Sequence, residues 1–210
     1  MRIISLNIGK PQEKEWQGKN VLTSIFKSSV TGKRKVSFTN VEGDEQADLR
    51  VHGGIYKAVY AYDISYYHHW KSILERSDWS YGLFGENLTT EGLADDKVRV
   101  GSIYKAGTVF LQAIQPRFPC IKINIRFGLA DMIERFVNEK KNGIYFKVVQ
   151  EGEMQTGDEV TLVEQSVHEV TIQDFAECYY SKGMDKSLVK KIVGIPYLPE
   201  GKRRTFESFL

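Results

Sequence analysis

The chain is poor in the residues that build disulfide scaffolds and metal cages. Of 210 residues, two are cysteine (Cys120 and Cys178) and four are histidine. Two cysteines do not make a disulfide framework, so a reducing compartment is expected. No apolar run approaches membrane-spanning length, and the N-terminal MRIISLNIGK lacks the plan of a secretory signal. A soluble, cytoplasmic protein with no membrane association is therefore expected. Excess charge of one sign is missing too. Lys and Arg number 29 against 27 Asp and Glu, and the two signs are interspersed, so the electrostatic footprint of a nucleic-acid binder is absent. Any positive potential has to be local, inside a pocket. What the chain does have is glycine, 18 residues of it, punctuating short apolar segments. Its length suits one sizeable domain, or one domain with an appendage.

The first three-quarters reads mainly as strands. Residues 1–8 put Ile4, Leu6 and Ile8 on one face at period two. Similar segments recur at 21–30, 34–41 (Val36 and Phe38 inward), 57–62, 97–105, 108–115, 143–150 and 159–163, with turn residues such as Gly32, Gly43, Gly101, Gly107 and Gly157-Asp158 between them. Many short strands with glycine turns favour a barrel over a doubly wound sheet. Two helices interrupt the strands. One starts at Asp63 as N-cap and runs to Arg76, with Ile64, Tyr67, Lys71 and Leu74 in a stripe; the other covers 129–141, with Met132, Ile133, Phe136 and Val137 as its apolar face. Near Gln165 the pattern turns helical. Thr171 with Asp174 forms a capping pattern, Asp185 opens a second helix, and a last helical turn or two holds Phe206, Phe209 and Leu210. The expected architecture is mainly β with α: a barrel over 1–165 with helical insertions, then a small three-helix domain over 166–210. Three helices this short are marginal alone, so they should dock on the barrel or on another subunit, and a homodimer is one arrangement this allows.

The stretch QPRFPCIKI, Gln115 to Ile123, sets Cys120 behind two prolines and between two cations, Arg117 and Lys122. Pro116 and Pro119 fix their own φ and push their predecessors toward extended geometry, which puts the thiol at the rigid end of a strand and outside any helix. Flanking cations suit a thiol that reacts or ligates as thiolate. The alternative, a cysteine filling a core gap, ranks lower here but wins for Cys178, which sits in a helix among apolar neighbours. The segment Val51 to Tyr62 puts His52 before Gly53-Gly54 and Lys57 beyond. Paired glycines let backbone N–H groups approach an anion such as phosphate, although the same dipeptide also makes ordinary turns. FGENLTTEGL, Phe84 to Leu93, offers neutral groups in Asn87, Thr89 and Thr90. His68 and His69 are adjacent on a helix and diverge, so they do not make a metal pair.

Together, GDEQADLRVHGG (Gly43 to Gly54), FGENLTTEGL and QPRFPCIK, in this order and spacing, resemble the MOSC domain, named after the molybdenum cofactor sulfurase C-terminus. The closest resemblance is to its subfamily of 6-hydroxylaminopurine resistance proteins, and it extends over most of the chain, the three-helix tail included. It implies a distorted β-barrel, a bound molybdenum cofactor (molybdopterin), and reduction of small N-hydroxylated compounds, including toxic base analogues. Ser24, Ser29 and Ile121 depart from the family pattern, which bears on pocket shape more than on chemistry. The resemblance implies a molybdoenzyme in which Cys120 is the metal ligand. Cys120, His52 and Arg117 would act in catalysis, and Lys27, His52, Gly53, Gly54, Lys57, Asn87, Arg117 and Lys122 would bind cofactor. A soft thiolate suits such a metal, and the pterin phosphate needs cations and N–H donors. No flavin, haem or iron–sulfur motif is present and pyridoxal phosphate is not expected, so electrons would come from a separate reductase. The alternatives are sulfur transfer through a persulfide on Cys120, and a pocket that only binds an anionic metabolite.

Overall fold

The computed structural model describes residues 1–47 and 53–210. Its strands are β1 (Arg2–Ile8), β2 (Gln12–Trp16), β3 (Lys19–Thr23), β4 (Ser28–Ser29), β5 (Arg34–Val36), β6 (Val59–Asp63), β7 (Leu88–Glu91), β8 (Ile103–Ala106), β9 (Val109–Pro116), β10 (Ile144–Gln150), β11 (Gly152–Met154) and β12 (Val160–Glu164). The helices are α1 (Ile64–Ile73), α2 (Ile121–Phe127), α3 (Met132–Glu139), α4 (Ile172–Tyr180), α5 (Lys186–Val193) and α6 (Glu200–Glu207).

Eight strands form one sheet in the order β12-β8-β9-β10-β6-β7-β1-β4, antiparallel except where β6 lies parallel to β7. The sheet curls until the start of β12 reaches the start of β1, and the junction is short. Arg2 bridges Glu159, Ile3 N–H donates to Asp158 O at 2.9 Å, and Val160 N–H donates to Met1 O at 2.8 Å. The closure is a seam rather than a full ladder, because the outer edge of β1 is shared. β4 takes Asn7 and Ile8, leaving only the first residues for the segment before β12. The expected barrel is thus a strongly curled sheet that does not close completely.

β6 explains how the interior is divided. All five of its residues are buried, and its alternation sends Val59 and Ala61 into one core and Tyr60 and Tyr62 into another. The first core is mainly aliphatic, with Ile3, Leu88, Leu111, Ile144 and Phe146 inside the curl. It continues without a break into Val170, Ile172, Phe175, Ile192 and Phe206, so the three C-terminal helices pack on the sheet. The second core is aromatic and lies under α1, α2 and α3, with Tyr62, Tyr67, Trp70, Phe84, Phe127 and Phe136 in ring contact.

Several helix signals act as expected. The Asp63 carboxylate accepts from Ser65 N–H at 3.0 Å to cap α1, Thr171 and Asp174 form a reciprocal capping box on α4, and Asp185 caps α5. The apolar stripe of α1 differs from the expected one: Tyr66, Tyr67 and Trp70 are buried while Lys71 is exposed. Phe38, expected inward, is 48% exposed, because β5 ends at Val36 in a turn whose return residue, Val41, pairs with Val36 instead. Residues 97–102 form turns and an isolated bridge from Arg99 to Thr171, with no strand until Ile103, and the expected strand at 21–30 splits into β3 and β4. The hairpin β2–β3, the strand β7 and the helix α2 are elements the residue pattern did not announce.

Candidate functional site

β9 ends at Pro116, where its partner β10 begins with Ile144. Arg117 N–H reaches across to Gly143 O at 3.2 Å, and the chain then passes Pro119 and turns into α2 with Cys120 as the extended N-cap residue (φ −139°, ψ 176°). The thiol is therefore outside the helix, as the prolines suggest, but at the mouth of one. Beside it lies a cavity of about 90 Å³. Residues 44–47, Gly85 and Asn87, and Arg117, Phe118, Cys120 and Lys122 line it, together with Ser24, Ile25, Lys27, Lys57, Tyr60 and Tyr145. The three segments that carry the family resemblance thus meet at one cavity. Gly53 and Gly54 are not among its described lining residues, and His52 lies outside the described residues.

One side of the cavity is self-contained. Lys27 and Asp44, both buried, form an ion pair. The second carboxylate oxygen of Asp44 accepts from Asn87 Nδ2 at 2.9 Å, and Gly9 N–H donates to the first at 2.8 Å. Burial lowers the Lys27 pKa, with Asp44 pulling the other way. Asn87 also accepts from Tyr60 N–H at 3.1 Å through Oδ1, so it ties β6 to this side. Lys27 and Asn87, expected as cofactor contacts, both line the cavity and both bind the Asp44 carboxylate. Behind them Glu86 is wholly buried, and its carboxylate accepts from Tyr67 Oη (2.5 Å), Thr89 Oγ1 (2.7 Å), Gly82 N–H (2.8 Å) and Phe84 N–H (3.1 Å). Burial raises its pKa, and these donors oppose the rise.

The other side is different. Arg117 is only 6% exposed, yet its Nη1 has no hydrogen-bond partner among the described residues. No carboxylate among the described residues pairs with it. Its guanidinium carbon lies 5.3 Å from the Tyr60 ring centre and 5.5 Å from that of Phe136, a soft electrostatic environment that does not satisfy N–H donors. Burial pulls the Arg117 pKa down, but the surrounding Tyr60, Tyr145 and Cys120 more than reverse this, so it stays cationic. Lys57 stands close to the thiol: burial lowers its pKa while Cys120 raises it. Its Nζ lies 5.9 Å from the Tyr145 ring centre. Lys122, on the first turn of α2, completes the basic side.

Such a side can take up an anion next to a soft sulfur. A metal would have to bring most of its ligands with it, because among the described residues no three His, Cys, Asp or Glu side chains form a metal-binding group. His69 is paired with Glu139 at 2.6 Å. Cys178 lies 2% exposed in α4, outside the cavity lining, and burial raises its pKa. No described helix is long and apolar enough to cross a membrane. The residues missed from the sequence are Tyr60, Tyr145 and Asp44. The first two belong to tyrosine-rich strands whose alternation could have singled them out; Asp44 had no such signal.

Comparison with known proteins supports the motif reading. A family model described as the MOSC domain matches residues 48–161. The chain is 33% identical over 204 residues to the uncharacterized protein YflK of Bacillus subtilis (strain 168), covering 97% of this chain and 92% of that one. It is 30% identical over 188 residues to protein YiiM of Escherichia coli (strain K12), covering 89% and 84%. A protein named Reductase from Gibberella moniliformis is 29% identical over 182 residues, which is 85% of this chain but 32% of that longer one. The crystal structure of YiiM from Geobacillus stearothermophilus matches with a TM-score of 0.83 at 33% identity, covering 100% of this chain and 98% of that one. With more than half of its length under the family model and relatives of this identity along nearly all of it, the chain belongs to the MOSC domain family, in the subfamily that contains YiiM.

Proposed function

We propose that this protein binds the molybdenum cofactor and reduces N-hydroxylated compounds such as 6-hydroxylaminopurine, in detoxification of base analogues. The observation that carries the reading is the buried Arg117 guanidinium, which lines the cavity beside Cys120 with Nη1 unsatisfied. A buried charge without a counter-ion costs several kcal/mol in a site that has no ligand to offer. An anionic ligand accounts for its retention. The cofactor suits this donor set: Arg117, Lys57 and Lys122 are the cations for its phosphate, and Cys120 is the one soft ligand for a metal already held by pterin sulfurs. His52, Gly53 and Gly54 keep the cofactor role expected of them, while Lys27 and Asn87 serve by holding the opposite side in position. The cavity is small, so only part of the cofactor would sit inside it.

When bound, the cofactor supplies two-electron reduction of the N–O bond, with amine and water as products. The chain's own part is to bind, orient and set local charge. Lys57, the cation that stands by the thiol, is placed to stabilise negative charge on a substrate oxygen beside it. Electrons come from a separate reductase, and the relative named Reductase is consistent with redox chemistry in this family.

The test uses protein made in a host that synthesises the cofactor, assayed with an artificial electron donor and an N-hydroxylated purine. Cys120→Ser should lose activity by a factor of roughly a thousand or more, while Cys178→Ser keeps most of it. Full activity in Cys120→Ser contradicts the ligand role. A second reading, sulfur transfer, draws on the same pairing of Cys120 with Lys57. It predicts one extra sulfur on the Cys120 peptide by mass spectrometry and no bound molybdenum.

A further inference from the structure

Phe118 joins the cavity to the C-terminal helices. It lines the cavity, and Cys120 follows it by two residues, so their Cα atoms are at most about 7 Å apart. Behind Phe118 the tail closes in. Its ring centre lies 4.1 Å from that of Tyr179 on α4, at an interplanar angle of 37°, and Tyr180 meets it edge-on at 5.6 Å. Lys202, on the first turn of α6, puts its Nζ 4.0 Å from the Phe118 ring centre and 4.3 Å from that of Tyr179. Tyr179 and Lys202 are thus about as near to each other as each is to Phe118, so both stand over the same face of its ring. The opposite face of this half-buried side chain is left to the cavity. Tyr60 and Tyr145 add aromatic surface to the same lining, with ring centres 5.2 Å apart. The polar side chains across the cavity are bound to one another instead: Lys27 and Asn87 both hold Asp44.

We infer that Phe118 is a specificity-determining residue: its cavity face stacks on the planar ring of an aromatic N-hydroxylated substrate, and the C-terminal helices hold it in position to do so. The inference rests on the reading of the cavity as a reductase site, and it deepens that reading by naming the substrate class and the wall that selects it. Stacking recognises a flat π-system and is tolerant of its hydrogen-bonding pattern. Aromatic rings with different heteroatoms are therefore admitted, and aliphatic N-hydroxylated compounds gain nothing from this wall. Packing by Tyr179 and Lys202 fixes the ring before a ligand arrives, so little side-chain freedom is lost on binding.

Two rings are the probes, 6-hydroxylaminopurine and adenine, which has the ring without the N-hydroxyl group. Each is titrated by calorimetry into full-length protein from a cofactor-making host, with no electron donor, so that neither turns over. Wild type should bind both. Phe118→Leu, which keeps an apolar side chain, should bind both roughly fivefold more weakly, and Phe118→Tyr should stay within about twofold of wild type. Inorganic phosphate, titrated into cofactor-free protein, reports on the basic side of the cavity. Phe118→Leu should bind it as wild type does, and Arg117→Gln roughly tenfold more weakly. Unchanged ring affinity in Phe118→Leu overturns the inference. So does a fall in phosphate affinity that matches the fall in ring affinity, because Phe118 would then only hold the wall in shape. Wild type that binds neither ring overturns it without any variant having to fold. The molybdenum content of the wild type decides the cofactor reading separately: ring binding that depends on Phe118 in a protein without molybdenum keeps the ring site and contradicts the reductase.

Discussion

The two sides of the cavity contain the same chemistry in opposite states. On one side Lys27 is buried and answered: Asp44 neutralises it, and Asn87 and Gly9 complete the carboxylate. On the other side Arg117 is equally buried, yet it faces aromatic rings and keeps a guanidinium donor unsatisfied. A residue count records both simply as buried cations. The difference separates a buried cation that has its counter-charge from one that has no carboxylate partner among the described residues.

The largest effect that would break this contrast is on stability. Lys27→Met leaves the Asp44 carboxylate buried without its counter-charge, and removing one partner of such a pair costs about 3–5 kcal/mol. Arg117→Met removes a buried charge that has no carboxylate partner among the described residues, so ligand-free protein should be as stable as wild type or more stable. Urea denaturation of the two variants measures the difference. If Arg117→Met is the more damaging, Arg117 has a structural partner and the contrast fails.

A second experiment sharpens the comparison by adding a third buried polar group. Asp95 accepts from the Asn142 and Gly143 N–H groups at 3.0 and 3.1 Å through Oδ2, and so fixes the segment to which Arg117 N–H and Tyr60 Oη bind. Burial, opposed by these N–H donors, raises its pKa from 3.8 to about 7. The unfolded chain releases this proton near 3.8, and the folded chain keeps it to about 7. This contribution to stability is thus fully present below pH 4 and is lost as pH rises to 7, with a slope of up to about 1.4 kcal/mol per pH unit. Asp95→Asn should remove that slope, which urea denaturation across pH 4 to 8 would show. Equal slopes in the two proteins would mean that the carboxyl titrates normally.

How much of this was legible beforehand depends on the range of the interaction. The prolines around Cys120 act on the next bond, so an exit from β9 outside any helix could be read directly, as could the capping box at Thr171 and Asp174. The strand β7 is not announced by the residue pattern. It is short, turn-forming residues precede it, and Leu88, Thr89 and Thr90 are all buried, so no polar alternation marks it. Membership of Lys27, Lys57, Arg117 and Lys122 in one pocket came from the family resemblance. The pairing of Lys27 with Asp44 could not be read at all, because it depends on how the sheet brings two loops together.

The smallest expected effect is a control for these charges. Lys140 makes an exposed ion pair with Glu177, so Lys140→Ala should change stability by no more than about 0.5 kcal/mol and leave phosphate affinity intact. A phosphate loss comparable to that of Arg117→Gln would show that net charge alone, rather than the cavity, governs binding.

The central claim is that Arg117 is unsatisfied because a cofactor satisfies it. The most direct measurement is the molybdenum carried by wild type, Arg117→Gln and Cys178→Ser, purified in parallel from a host that makes the cofactor. Wild type and Cys178→Ser should carry equal amounts, and Arg117→Gln should retain roughly tenfold less, the loss expected for one buried charge-assisted contact. Equal molybdenum in all three proteins would contradict the account.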